Sequence, residues 1–124
     1  GVVHGMAHPM GSLFDIPHGV ANALLLPTIM EYNKPVCIDK YVEIAKAMDA
    51  YKEGMTKAEA AQAACDAVRA LAIEVGIPQH LSDLGITAKD IDALADQAIG
   101  DVCTPGNPRL VTRQDIVELY KKVL

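Results

Sequence analysis

Apolar residues recur at helical spacing along nearly the whole chain, and no stretch alternates apolar and polar residues long enough to make a half-buried strand. That property restricts the fold to an all-α domain, because a chain without strands must bury its apolar stripes helix against helix. Local punctuation divides it into about six helices with short connections. Gly1 to about Phe14 reads as the first, with Pro9 and Gly11 as expected kink points. Asp15-Ile16-Pro17 breaks it, since a proline disfavours helix at the residue before it. His18 to Tyr32 is a second helix, apolar almost all round and therefore expected to be buried; Asn33-Lys34-Pro35 ends it. Val36 to Met48 is a third, with Ile38, Tyr41, Val42, Ala45 and Met48 on one stripe. Thr56 and Glu59 form the capping box of an alanine-rich fourth helix that runs to Val75 and stops at Gly76. Ile77 to Gly85 is a connector with one short turn around His80 to Leu84. Thr87 caps a fifth helix, with Asp90 in its first turn, that runs to Gly100. Asp101 to Leu110 contains Pro105, Gly106 and Pro108 and reads as a loop. Thr112 caps a sixth helix that ends in Lys121-Lys122, with the cations at the favourable end of the dipole.

The chain of 124 residues is long enough for one domain with a real core, and 51% hydrophobic residues argue against disorder. A net charge of −5 with no basic cluster and no aromatic platform excludes a nucleic-acid binder. The longest apolar run, Val20 to Met30, is interrupted by Asn22, Pro27 and Thr28 and is too short for a bilayer, so no membrane partner is expected. Cys37, Cys65 and Cys103 are odd in number and far apart, with no Cys-x-x-Cys pair. They read as reduced thiols of a cytoplasmic protein, with Cys37 and Cys65 packed on helical stripes. Gly1-Val2-Val3-His4 reads as the middle of a helix, so the chain is expected to be a fragment whose residues 1–124 form one domain.

The residues with chemical interest are concentrated at the start. His4 and His8 are four apart and share a helix face, and His18 follows just after the Pro17 break, where a tight turn can return it to the first helix. Imidazole is the commonest neutral metal ligand, and the small residues Gly5, Ala7, Gly11 and Gly19 suit close helix approach around a buried site. The histidine-bearing, apolar side of the first helix, with Val2, Val3, Met6, Met10 and Phe14, is expected to face a missing domain and to promote self-association. The loop Asp101 to Arg109 is chemically varied in the way of loops that border a site, but from its residues alone a helix C-terminus with an Asn-Pro turn is the stronger reading. His80, beside Pro78, reads as a surface or loop-packing residue. From the residues alone two further readings stay open: a non-catalytic helical metal-binding module, and a purely structural domain whose histidines bond to backbone.

The run His4-Gly5-Met6-Ala7-His8-Pro9-Met10-Gly11, with Pro17-His18-Gly19-Val20-Ala21-Asn22-Ala23 and Leu25-Leu26-Pro27, resembles the signature of the iron-containing (group III) alcohol dehydrogenases, in particular their lactaldehyde reductase and propanediol oxidoreductase branch. Asp101-Val102-Cys103-Thr104 with Asn107-Pro108-Arg109 is similar to that family's C-terminal loop. The resemblance implies the C-terminal helical, metal-binding half of a dehydroquinate-synthase-like two-domain enzyme that interconverts a small alcohol or diol and its aldehyde with NAD(H). It implies His4 and His18 as ligands of Fe(II), with Zn or Ni also compatible with imidazole. It implies His8 as a catalytic proton relay and Cys103 as a residue near the nicotinamide end of the cofactor. Its implied partners are the small alcohol or aldehyde substrate, the N-terminal nucleotide-binding domain and, as a homo-oligomer, further copies of the enzyme. The family's other two ligands, an Asp and a His, and its glycine-rich phosphate loop have no counterpart here, since Gly11, Gly19 and Gly54 are isolated. The fragment alone is accordingly expected to be inactive.

Overall fold

The computed structural model describes residues 1–124 and contains no strand. Six α-helices follow one another: α1 Val2–Phe14, α2 His18–Asn33, α3 Ile38–Ala47, α4 Lys57–Glu74, α5 Ile91–Ile99 and α6 Arg113–Lys122. They pack in the spatial order α3, α4, α2, α1, α5, α6, which leaves α1 flanked by α2 and α5. None is long and apolar enough to cross a membrane.

Helix boundaries follow local chemistry. The capping box of α4 forms as read: Thr56 Oγ1 accepts from the Glu59 amide at 3.1 Å, and the Glu59 carboxylate accepts from the Thr56 amide at 3.2 Å. Thr112 and Asp115 make the same reciprocal pair at the start of α6. Thr87 caps a 3-10 turn, Ala88–Asp90, that leads into α5. Other boundaries differ from the sequence reading. Pro35 lies inside a 3-10 turn, Lys34–Val36, and α3 starts only at Ile38 and ends at Ala47. The loop after α5 carries a 3-10 turn of its own, Thr104–Gly106. α1 runs unbroken through Pro9 and Gly11.

The turn that positions the site is Asp15–Pro17. Asp15 adopts left-handed backbone (φ 57°), and its amide closes α1 by bonding back to the Gly11 carbonyl at 3.0 Å. A short polar side chain tolerates that conformation better than most. Ile16 is buried beneath the turn, and Pro17 forces a fresh start for α2, which folds back along α1.

The main core is built from α1, α2, α5, α6 and the connector residues Leu81 and Ile86; a smaller one joins Met30, Cys37, Tyr41, Ala45, Ala61, Ala64 and Cys65 between α2, α3 and α4. Alanines 60, 61 and 64 of α4 are fully buried, so this helix contributes close approach where larger side chains would hold its neighbours away. Cys37 and Cys65 are core thiols as expected, and burial pushes Cys65 up to about 11. The apolar side of α1 corrects the sequence reading. Val2, Met6 and Met10 are fully buried in the chain's own core, each worth ~1.5–3 kcal/mol, and do not form an outward face. The signal for this was present: His4, His8 and Ser12 recur every four residues, and Val2, Met6 and Met10 lie two positions away, about 200° round a helix of 3.6 residues per turn. Besides Leu13 near the end of α1, exposed apolar side chains sit on α4 and the segment after it (Leu71, Ile73, Val75) and in the loop after α5 (Val102, Leu110). The buried Tyr120 hydroxyl donates to the Met6 carbonyl at 2.6 Å, which satisfies a group that would otherwise be costly to bury and fixes α6 to α1.

Candidate functional site

The fold brings His4, His8 and His18 together at the α1–α2 turn. Their ring centroids form a nearly equilateral triangle, 6.2 Å for His4–His8, 5.8 Å for His4–His18 and 5.7 Å for His8–His18. The i, i+4 spacing aligns the first two on α1, and the Asp15–Pro17 turn delivers the third. All three are exposed, which corrects the expectation of a buried site: the imidazoles lie on the outer stripe of α1 and at the start of α2. His80 is also exposed and lies outside the triangle.

Two of the rings have side-chain partners. His18 Nε2 lies 2.9 Å from Asn22 Nδ2, one helical turn further on. Asn22 Oδ1 is buried and has no hydrogen-bond partner. Most buried polar atoms are paired, so this oxygen is a free acceptor beside His18. His4 and Asn22 also border an open cleft of about 510 Å³, together with Val3, Ala23, Leu26 and Asn107.

His8 Nδ1 lies 2.8 Å from Asp101 Oδ2, with the His8 side chain 41% exposed and that of Asp101 16%. Asp101 follows α5, and its other carboxylate oxygen accepts from the Cys103 amide at 2.8 Å, an Asx-type turn. That amide bond, together with His8, holds the Asp101 carboxyl below the usual carboxylate range despite partial burial. Asp101 is therefore an anion at neutral pH, anchored in its own loop and aimed at His8. Cys103, the one cysteine that is not buried, completes the group. Its sulfur and the His8 and Asp101 ligand atoms all lie within 4.8 Å of one another.

Gly5 explains why this loop lies so close to α1. A Cβ there would overlap Thr104 Oγ1 and come within 3.2 Å of Thr104 Cβ. Thr104 is buried, and its hydroxyl donates to the Ala98 carbonyl at 2.6 Å. Beyond it, Asn107 and Asn33 exchange amide hydrogen bonds of 3.0 and 2.8 Å, which ties the loop to the end of α2. The structure thus gathers all three histidines at one turn and sets Asp101 and Cys103 beside His8. Sequence reasoning missed the specific parts of Asp101 and Gly5; an acidic residue two positions before the singled-out cysteine, and a glycine between the first two histidines, were the available signals.

Comparison with known proteins identifies the family. Residues 1–124 match the model of the Fe-containing alcohol dehydrogenase family, C-terminal. The chain is 56% identical over 120 residues to lactaldehyde reductase of Escherichia coli (strain K12), covering 97% of this chain and 31% of that protein. It is 40% identical to 1,3-propanediol dehydrogenase of Citrobacter freundii, covering 98% of this chain and 32% of that protein. The crystal structure of a 1,3-propanediol oxidoreductase superposes with a TM-score of 0.97 at 40% identity, over 100% of this chain and 32% of the other. The chain therefore spans about a third of the length of the relatives it matches. An all-helical body, a histidine triangle set by one turn and a family match over its whole length place this chain in the iron-containing alcohol dehydrogenase family, as a counterpart of its C-terminal region.

Proposed function

We propose that this chain provides the metal- and substrate-facing surface of an oxidoreductase that interconverts a small alcohol or diol and its aldehyde with NAD(H). The observation that carries this reading is the convergence of His4, His8 and His18, with Asp101 and Cys103 beside them, in a chain whose relatives are named as alcohol and diol oxidoreductases. The donor set suits a metal: His4 and His18 come from different helices with ring centroids 5.8 Å apart, and ligand bonds of ~2.0–2.1 Å fit between them. They would hold Fe(II), which when bound supplies Lewis acidity toward an alcohol oxygen. Imidazole suits Zn(II) and Ni(II) equally, so the choice of metal is not set by these residues. The remaining ligands and the nucleotide-binding domain would come from outside residues 1–124.

The roles of the other residues follow from their contacts. The Asp101 carboxylate accepts from His8 Nδ1–H, which fixes the tautomer and leaves Nε2 as the nitrogen that takes a proton from the alcohol or returns it to the aldehyde oxygen. Asp101 acts through His8, as the group that orients its ring. Cys103, held by its amide to Asp101, would border the nicotinamide end of the cofactor.

A chimera tests the reading: this chain replaces the matching C-terminal region of Escherichia coli lactaldehyde reductase. The chimera should consume NADH with lactaldehyde in the presence of Fe(II), and the 124-residue chain alone should not. A folded, metal-loaded chimera without turnover would refute the proposal.

A further inference from the structure

The loop after α5 brings against α1 three donors of different chemical kind: an imidazole nitrogen of His8, a carboxylate oxygen of Asp101 and the sulfur of Cys103, all within 4.8 Å of one another. We propose that His8, Asp101 and Cys103 form a second metal site, separate from the His4–His18 pair, that takes a borderline-soft divalent cation such as Zn²⁺ in preference to Mg²⁺ or Ca²⁺.

The donor types set the preference. Hard cations are held by oxygen shells, whereas imidazole with thiolate favours zinc and its neighbours. Three protein ligands leave a fourth position for water, the arrangement of an open zinc site.

The placement of the donors favours binding. His8 stands in the middle of α1 between Ala7 and Pro9, both buried. Asp101 and Cys103 are locked to each other by the amide–carboxylate bond, and the next residue, Thr104, is buried against Gly5 and bonded to Ala98. The donors are thus held by backbone anchored on both sides, and only side-chain torsions need to change. Ligand bonds of ~2.0–2.3 Å in a tetrahedral site put donor atoms roughly 3.3–3.8 Å apart. With all three donors within 4.8 Å of one another, the farthest pair has at most about 1–1.5 Å to close, while the 2.8 Å His8–Asp101 contact must open. Binding balances by proton transfer alone: the Cys103 thiol releases its proton to solvent, and the proton on His8 Nδ1 is exchanged through water to Nε2. Affinity should therefore rise with pH.

The site stands on this geometry and does not depend on the catalytic proposal. If that proposal holds, the site gains a regulatory consequence, because an ion between His8 and Asp101 removes the hydrogen bond that orients the relay, and zinc would inhibit reversibly.

The distinguishing signature is the sulfur. The His4–His18 pair offers none, and Cys37 and Cys65 are buried. Titration of the 124-residue chain with Co²⁺ should produce a thiolate-to-cobalt charge-transfer band that saturates at one equivalent and disappears when Zn²⁺ is added. The band should persist in the His4→Ala/His18→Ala double variant and vanish in Cys103→Ser. In His8→Ala and Asp101→Asn the affinity should fall by at least the ~10- to 100-fold that loss of an outer-shell partner costs. Zn²⁺ should also protect Cys103 from a thiol reagent in the unmutated chain, a readout that requires no variant to fold. A folded chain that gives no band, a band that survives Cys103→Ser, or labelling of Cys103 that Zn²⁺ does not slow would each overturn the proposal. Loss of the band in the His4/His18 double variant, with the helical circular dichroism intact, would show one shared site and overturn the separation.

Discussion

Gly5→Ala is the most informative single change in this chain, because two effects of opposite sign meet at one residue. Alanine in place of glycine inside a helix ordinarily stabilises by roughly 0.5–1 kcal/mol. At Gly5 the added methyl would overlap Thr104 Oγ1 and press within 3.2 Å of Thr104 Cβ and 3.4 Å of its Cα. Thr104 can relieve the overlap only by turning its hydroxyl away from the Ala98 carbonyl, at 2.6 Å a buried bond. Overpacking a close contact costs about 1–3 kcal/mol, and a buried group left without its partner about as much again. The unfavourable effects outweigh the helix propensity, and a net loss of about 2–4 kcal/mol is expected. Urea unfolding followed by circular dichroism measures it: the midpoint should fall while the slope is kept. Displacement of the loop should also part Asp101 from His8 and raise the labelling rate of Cys103. Thr104→Ala alone should cost only about 1 kcal/mol, and adding it to Gly5→Ala should recover much of the loss, which a double-mutant cycle would quantify. A Gly5→Ala variant as stable as the parent, or more so, would refute the claim that this glycine exists to admit the loop.

Three further outcomes are expected. In the assembled chimera, His8→Ala should retain the metal but lower kcat by roughly 10- to 1,000-fold, whereas His18→Ala should lose metal and activity together; equal loss of metal in both would make His8 a ligand. Asp101 and Asp115 are held below the usual carboxylate range, each first by a backbone amide in its own turn. Their stabilisation is present above the unfolded value of ~3.9 and is lost as pH falls through the lower folded value, so Asp101→Asn and Asp115→Asn should flatten the acid limb of the urea midpoint against pH. Cys65 is shifted the other way by burial, to about 11, so its contribution is present below the unfolded value of ~8.5 and lost between there and about 11; Cys65→Ala should lower stability at neutral pH and flatten the alkaline limb.

Much of the fold was legible in the sequence because its determinants are local. Thr56 with Glu59 caps α4 and Thr112 caps α6 as read, while Thr87 caps a 3-10 turn that leads into α5; none of these signals needs a partner outside one helical turn. The meeting of His4 and His18 was legible for the same reason: Pro17 compels a break, and the two helices it separates have nowhere to go but alongside each other. What the sequence left open was decided by contacts between distant segments. Spacing sets Val2, Met6 and Met10 opposite the stripe of His4, His8 and Ser12, but it does not supply the surfaces that cover them: α2, α5 and α6 bury the first set and leave the histidines outward. Asp101 reaches His8 across 93 positions of chain, and the hydroxyl of Tyr120 reaches Met6 across 114. No spacing rule spans such separations, because the register of α5 and its loop on α1 is fixed by the space that one missing Cβ at Gly5 leaves for Thr104.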